Sequence, residues 1–118
     1  MPLIARGSGS GDKVTSPTGT PAPPAPCPAP TDLDIIGKSS NVFVVGVGVS
    51  RLDDDVTPHP FPNADPPCAL HKPVCVAASP NVFANGLPVA RMGDNYDAGD
   101  GELHPVTTVT QSTVFANG

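Results

Sequence analysis

The apolar positions of this chain come in short runs, and three of the runs repeat. Ser39-Ser40-Asn41-Val42-Phe43 recurs as Ser79-Pro80-Asn81-Val82-Phe83, and again as Ser112-Thr113-Val114-Phe115 with one residue fewer. After the first two phenylalanines the parallel continues, with Gly46-Val47-Gly48-Val49-Ser50-Arg51-Leu52-Asp53 set against Gly86-Leu87-Pro88-Val89-Ala90-Arg91-Met92-Gly93-Asp94. In the second copy Val82-Phe83-Ala84 and Leu87-Pro88-Val89-Ala90-Arg91 flank Asn85-Gly86. Asn-Gly between two apolar runs predicts a β-hairpin, because a type I′ turn needs positive φ at both central residues. The first copy carries Val45-Gly46 at that place, so its hairpin is expected from the repeat rather than from turn chemistry.

The third copy reaches Phe115-Ala116-Asn117-Gly118 just where its second half should begin, and that half stands at the other end of the chain. Pro2-Leu3-Ile4-Ala5-Arg6 matches Pro88-Val89-Ala90-Arg91 with one insertion. Phe to Arg spans 8 residues in the first two copies and 9 across the joined ends in the third. Successive phenylalanines are 40, 32 and 46 residues apart around the closed ring, so the repeated part is constant and the connections carry the variation. The expectation is an all-β, small, cone-shaped, pseudo-threefold arrangement of hairpins, closed by adjacent termini, in a single domain over 1–118. A lone hairpin is unstable in water, whereas three around an axis can bury their Val and Phe side chains together.

Composition narrows the picture. With Gly 12 and Pro 17 in 118 residues, no window of a dozen avoids both while keeping an apolar period of 3.6, so long helices are excluded. Six Lys+Arg against 11 Asp+Glu leave net charge -5, with no basic cluster and 4% aromatics, which removes the phosphate and stacking contacts of a nucleic-acid partner. The N-terminus lacks a basic region followed by an apolar run, and Val42 to Val49 is broken by Gly46 and Gly48, so neither a signal peptide nor a membrane span is expected. Three Cys in a chain made in the cytosol point to reduced thiols or metal ligation rather than disulfides.

Between the hairpins the sequence reads as loops, roughly 7–38, 55–78 and 95–111. Ser16 to Pro30 is Pro-rich, cannot join a ladder and is expected to run over the surface. All three histidines lie in the other two loops: His59 and His71 in the second and His104 in the third. Cys68-Ala69-Leu70-His71 and His71-Lys72-Pro73-Val74-Cys75 are each short enough to grip one ion, and Zn²⁺ takes four imidazole or thiolate ligands in a tetrahedron. A small Pro-rich chain short of core gains most from such a staple. The mixed donor set favours zinc, with iron as the alternative. A Cys–His catalytic pair, His71 with Cys75, lacks an oxyanion cradle at a helix N-terminus. Asp53-Asp54-Asp55 and Asp94, Asp97 and Asp100 lack EF-hand spacing and read as solvated loop carboxylates. Gly7, Gly9 and Gly11 open no helix and read as turn glycines rather than a phosphate loop.

These paired motifs and their circular split resemble the PAAR-repeat family over essentially the whole chain apart from the Pro-rich loop. The closing Val-Phe-Ala-Asn-Gly is similar to phage-type members more than to secretion-system ones. The resemblance implies a non-enzymatic cone whose point is braced by zinc, usually held by three His and one Cys. Its base is expected to cap a trimeric β-helical spike, a central tail spike or a VgrG-like one, at the tip of a phage tail baseplate in the virion, where it sharpens the spike for piercing an envelope. Carried over by motif, the ligands are His59, Cys68, His71 and His104, with Cys75 in reserve for Cys68 and Cys27 the only ligand-type residue of the first loop. A type VI secretion tip carrying an effector is the second reading, and a zinc or cysteine enzyme the third.

Overall fold

A computed structural model describes residues 2–16, 32–60, 70–99 and 103–116, with 59 and 60 described by their backbone. Among these residues there are eleven short strands and no helix. A five-stranded antiparallel sheet is built in the order β2 (Asp32–Asp34), β1 (Lys13–Thr15), β11 (His104–Thr108), β10 (Asn95–Asp97) and β7 (Val74–Cys75). Three two-stranded pairs accompany it: β3 (Phe43–Val44) with β4 (Val47–Gly48), β8 (Phe83–Ala84) with β9 (Leu87–Pro88), and β5 (His59–Pro60) with β6 (Leu70–His71). The expected all-β hairpin architecture is therefore present. The segments expected as loops nevertheless hold β1, β2, β5, β6, β7, β10 and β11. These strands are 2 to 5 residues long, and β1 and β2 each bury a single central residue, which leaves too short an alternation to show in the sequence.

The threefold repeat is written in the backbone hydrogen bonds. Phe43 pairs with Gly48, Phe83 with Pro88, and Phe115 forms a bridge with Leu3, so the two chain ends complete the third hairpin. The amides of Val49, Val89 and Ile4 donate to the carbonyls of Val42, Val82 and Val114 at 3.0–3.1 Å. One residue further on, the Ala5 amide donates to the Ala90 carbonyl (2.9 Å), Ala90 to Ser50 (2.8 Å) and Ser50 to Ala5 (3.0 Å). These three bonds close a ring about the pseudo-threefold axis, and all three residues are completely buried.

The core lies on both sides of that ring. On the hairpin side Ile4, Val49 and Val89 pack with Val44, Ala84 and Ala116, two sets of threefold equivalents. On the other side Val14, Val56 and Tyr96 pair across strands with Val106, Ile35 and Cys75. The layers follow the chain, from Val49 through Ser50 to Val56 and on to His59. His104, two residues before Val106 on β11, and the β5–β6 pair that holds His59 and His71 follow the lower core along the chain.

Gln111 corrects the reading of the third copy. The Ser39 Oγ accepts from the amides of Asn41 (3.3 Å) and Val42 (3.0 Å), and the Ser79 Oγ does the same for Asn81 and Val82. In the third unit Gln111 Oε1 accepts from the amides of Thr113 and Val114, both at 2.9 Å. The copy is not one residue short; a longer side chain fills the same role four residues before Phe115, and matching Ser112 to the other serines shifts the register by one.

Candidate functional site

Two regions carry functional side chains. On the hairpin side Phe43, Phe83 and Phe115 occupy equivalent positions and are 60%, 56% and 46% exposed. Each stands next to a buried small residue, Val44, Ala84 or Ala116, so strand alternation turns the ring outward while its neighbour enters the upper core. Phenylalanine is ordinarily buried, and three on one face of a small domain form an apolar surface in need of a cover.

A local arginine fork follows each complete hairpin. The Asp54 carboxylate accepts from the Arg51 amide (2.8 Å), Nε (2.9 Å) and Nη2 (3.1 Å), and Asp94 accepts from the same three groups of Arg91 at 2.9, 2.9 and 3.0 Å. Asp54 and Asp94 are thus structural partners rather than solvated loop carboxylates, and the recurring Arg-x-x-Asp spacing is the sequence signal that marks them. In the third unit the loop through Ser8 and Gly9 widens the spacing, and Asp12 Oδ2 accepts from the Arg6 amide at 2.8 Å with Nε at 3.5 Å. Gly9 and Gly11 adopt positive φ there, and Gly7 packs so closely that a Cβ would meet Lys38 Cβ at 2.4 Å. The three glycines serve that turn, as expected.

In the other region the strand register gathers the histidines. His59 lies opposite His71 in the β5–β6 pair, and His104 lies opposite Tyr96 in β10–β11. The rings of His71 and His104 meet edge to face, with centroids 5.4 Å apart and planes at 63°. His104 is fully buried, and its Nδ1 lies 3.1 Å from the Tyr96 carbonyl. A carbonyl only accepts, so Nδ1 carries the hydrogen, and Nε2 is the nitrogen a metal would take. The rings of His71 and His104 are the donor type that a borderline-soft cation such as zinc accepts, and the backbone of His59 is strand-paired to His71.

Cys68 and Cys27 lie outside the described residues. Among those described, no three His, Cys, Asp or Glu side chains gather closely enough to hold a metal. Cys75 takes the core position that Ile35 and Val106 take in the other units: the amides of Ile35, Cys75 and Val106 donate to the carbonyls of Asp12, Asp54 and Asp94 in turn. Burial, and then the negative charge of Asp94, push its thiol up to about 12. As placed, Cys75 is a neutral core thiol rather than a thiolate donor.

Comparison with known proteins agrees with this architecture. The PAAR motif family matches the chain over residues 27–101, a span that takes in both complete hairpin units and two of the three histidines. No curated protein matches the sequence.

Proposed function

The chain belongs to the PAAR-motif family, whose members are structural spike tips of contractile injection systems, and from that premise we propose that it caps the trimeric β-helical spike of a phage tail, one copy per trimer. The observation that carries the proposal is the threefold-equivalent ring of exposed Phe43, Phe83 and Phe115 over a closed hydrogen-bonded ring. A single chain with three equal apolar contacts matches the end of a trimer contact for contact, and covering it removes that surface from water.

On the side away from the spike, the proposal assigns zinc to His59, His71, His104 and Cys68, with iron as the alternative metal. A closed four-ligand shell leaves no position for a substrate, so the metal would brace the point where few residues can pack. The role is structural rather than catalytic. Val114-Phe115-Ala116 and the two residues after it favour a phage tail over a type VI secretion spike.

Titration of the chain against the purified trimeric spike tests the reading. One chain per trimer is expected, and three chains per trimer, or none, would overturn it. Mass spectrometry of purified virions is expected to find the chain; its presence instead among proteins released by a secretion apparatus would move it to the second reading.

A further inference from the structure

The two complete hairpins differ at the first central residue of the turn, Val45 in one and Asn85 in the other. Both turns place positive φ at their central residues: Asn85 at 56° and Gly86 at 79°, Val45 at 47° and Gly46 at 79°. Asparagine and glycine enter the left-handed region readily, whereas for a β-branched residue it is a genuine outlier. Asn85 also repays its place: its Oδ1 accepts from Ser39 Oγ (2.6 Å) and Arg51 Nη1 (3.1 Å), and its Nδ2 donates to Asn41 Oδ1 (2.6 Å), latching the second hairpin to the first. The Val45 side chain can form no such bond. Its turn is held instead through the backbone, by Arg6 Nη1 donating to the carbonyls of Val44 (3.3 Å) and Val45 (3.2 Å).

Nor does packing within the chain reward valine there, since Val45 is 60% exposed. It lies in the turn just beyond β3, two residues after Phe43, and so adds a second exposed apolar side chain to the end of that hairpin. The segments that form this outward surface hold none of the chain's 6 Lys+Arg or 11 Asp+Glu (2–5, 39–50, 79–90 and 111–116), and of the two guanidiniums that reach the turns, Arg6 is buried against the Val44 and Val45 carbonyls and Arg51 is paired with Asp54.

We infer that Val45 is a contact residue for the apex of the trimeric spike, kept in a strained turn at the expense of the tip's own stability. The inference rests on the docking reading above and specifies the chemistry of that partner. A trimer offers three identical sites, so the site that takes Val45 must equally accept the amide of Asn85 when the cap is turned by a third. The apex is therefore uncharged, apolar and shallow at these points, and its hold on the tip is insensitive to salt.

The test compares wild type, Val45→Asn and Phe83→Ala for thermal unfolding and for affinity to the purified trimeric spike, the wild type at low and high salt. Val45→Asn is expected to melt about 3–5 °C higher and to bind about fivefold more weakly, with wild-type affinity unchanged by salt. A higher melting temperature with unaltered affinity would overturn the role of Val45, and the docking reading would stand if Phe83→Ala still weakens binding. Unaltered melting would remove the strain on which the inference depends. Affinity that falls steeply with salt would overturn the uncharged apex, and no binding by the wild type would overturn both readings.

Discussion

The hydroxyls of Ser50 and Tyr96 lie 2.6 Å apart, both completely buried. Ser50 is the one polar side chain in a ring whose other members are Ala5 and Ala90, and Tyr96 is the one aromatic among the lower-core equivalents Val14 and Val56. The sequence breaks its own threefold symmetry at two matched positions, and the two breaks meet. Tyr96 thereby spans from the axial ring to His104, which its carbonyl orients.

Removing one of these hydroxyls leaves the other buried and short of a partner. Ser50→Ala, which restores the residue of the other two units, is expected to lose about 1–2 kcal/mol in urea unfolding, and Tyr96→Phe a similar amount. The double variant is expected to lose clearly less than the sum, because removing both partners leaves nothing unsatisfied. Strict additivity would mean that the two hydroxyls do not depend on each other.

The forks make a second prediction. Asp94→Ala removes the two bonds from the Arg91 guanidinium to Asp94 and the one from the amide that starts the turn, and should cost about 2–3 kcal/mol. Asp54→Ala should cost about the same, since Arg51 repeats the geometry. Arg91→Lys is not expected to substitute, because an ammonium cannot fill a two-pronged site. Equal stability of Arg91→Lys and wild type would reduce the fork to a simple ion pair.

Much of this was legible in the sequence, and the parts that were not have identifiable causes. Asn85-Gly86 announced its hairpin through turn chemistry, and the wrap-around of Phe115 to Leu3 followed from counting residues. Gln111 was hidden because its equivalence with Ser39 and Ser79 is one of function, an oxygen presented to two amides, rather than of residue type. The five-stranded sheet was hidden because its members pair at long range and carry almost no pattern of their own. Val14 and Leu33 each stand as single buried residues between polar neighbours. The short distance from Cys75 to His71 along the chain suggests a ligand, whereas the pairing with Tyr96 sets Cys75 among aliphatic equivalents.

Alkaline pH should weaken the fold through Cys75 and Tyr96. The Cys75 thiol is pushed up to about 12 by burial, and burial raises the Tyr96 phenol well above its ordinary value, with the nearby Cys75 adding to the effect. The unfolded chain therefore releases these protons first, near their ordinary values of 9.0 and 10.0. Both groups contribute stability that is fully present below about pH 9 and lost as pH rises from there toward 12. Urea midpoints are expected to stay level between about pH 7 and 8.5 and to fall at about pH 10.5. A Cys75→Val, Tyr96→Phe variant should show a much smaller fall, and an undiminished one would place the loss in other groups.

The metal assignment separates the cysteines. Protein purified without added metal is expected to carry about one zinc per chain, and a chelator should lower its melting temperature. His104→Ala removes an imidazole whose Nδ1 is committed to the Tyr96 carbonyl, which makes Nε2 the ligating nitrogen, and is expected to lose the metal. Cys68→Ser should lose it too, since a serine hydroxyl is a poor zinc ligand. Cys75→Ser is expected to keep the metal and lose about 1–3 kcal/mol, because it sets a hydroxyl among the apolar residues around Cys75. If Cys75→Ser loses the metal and Cys68→Ser keeps it, Cys75 is the fourth ligand and must leave its core position to bind. Iron in place of zinc would change the metal and keep the staple, whereas a folded, metal-free wild type would leave the point braced by the paired strands and the contact of His71 with His104 alone.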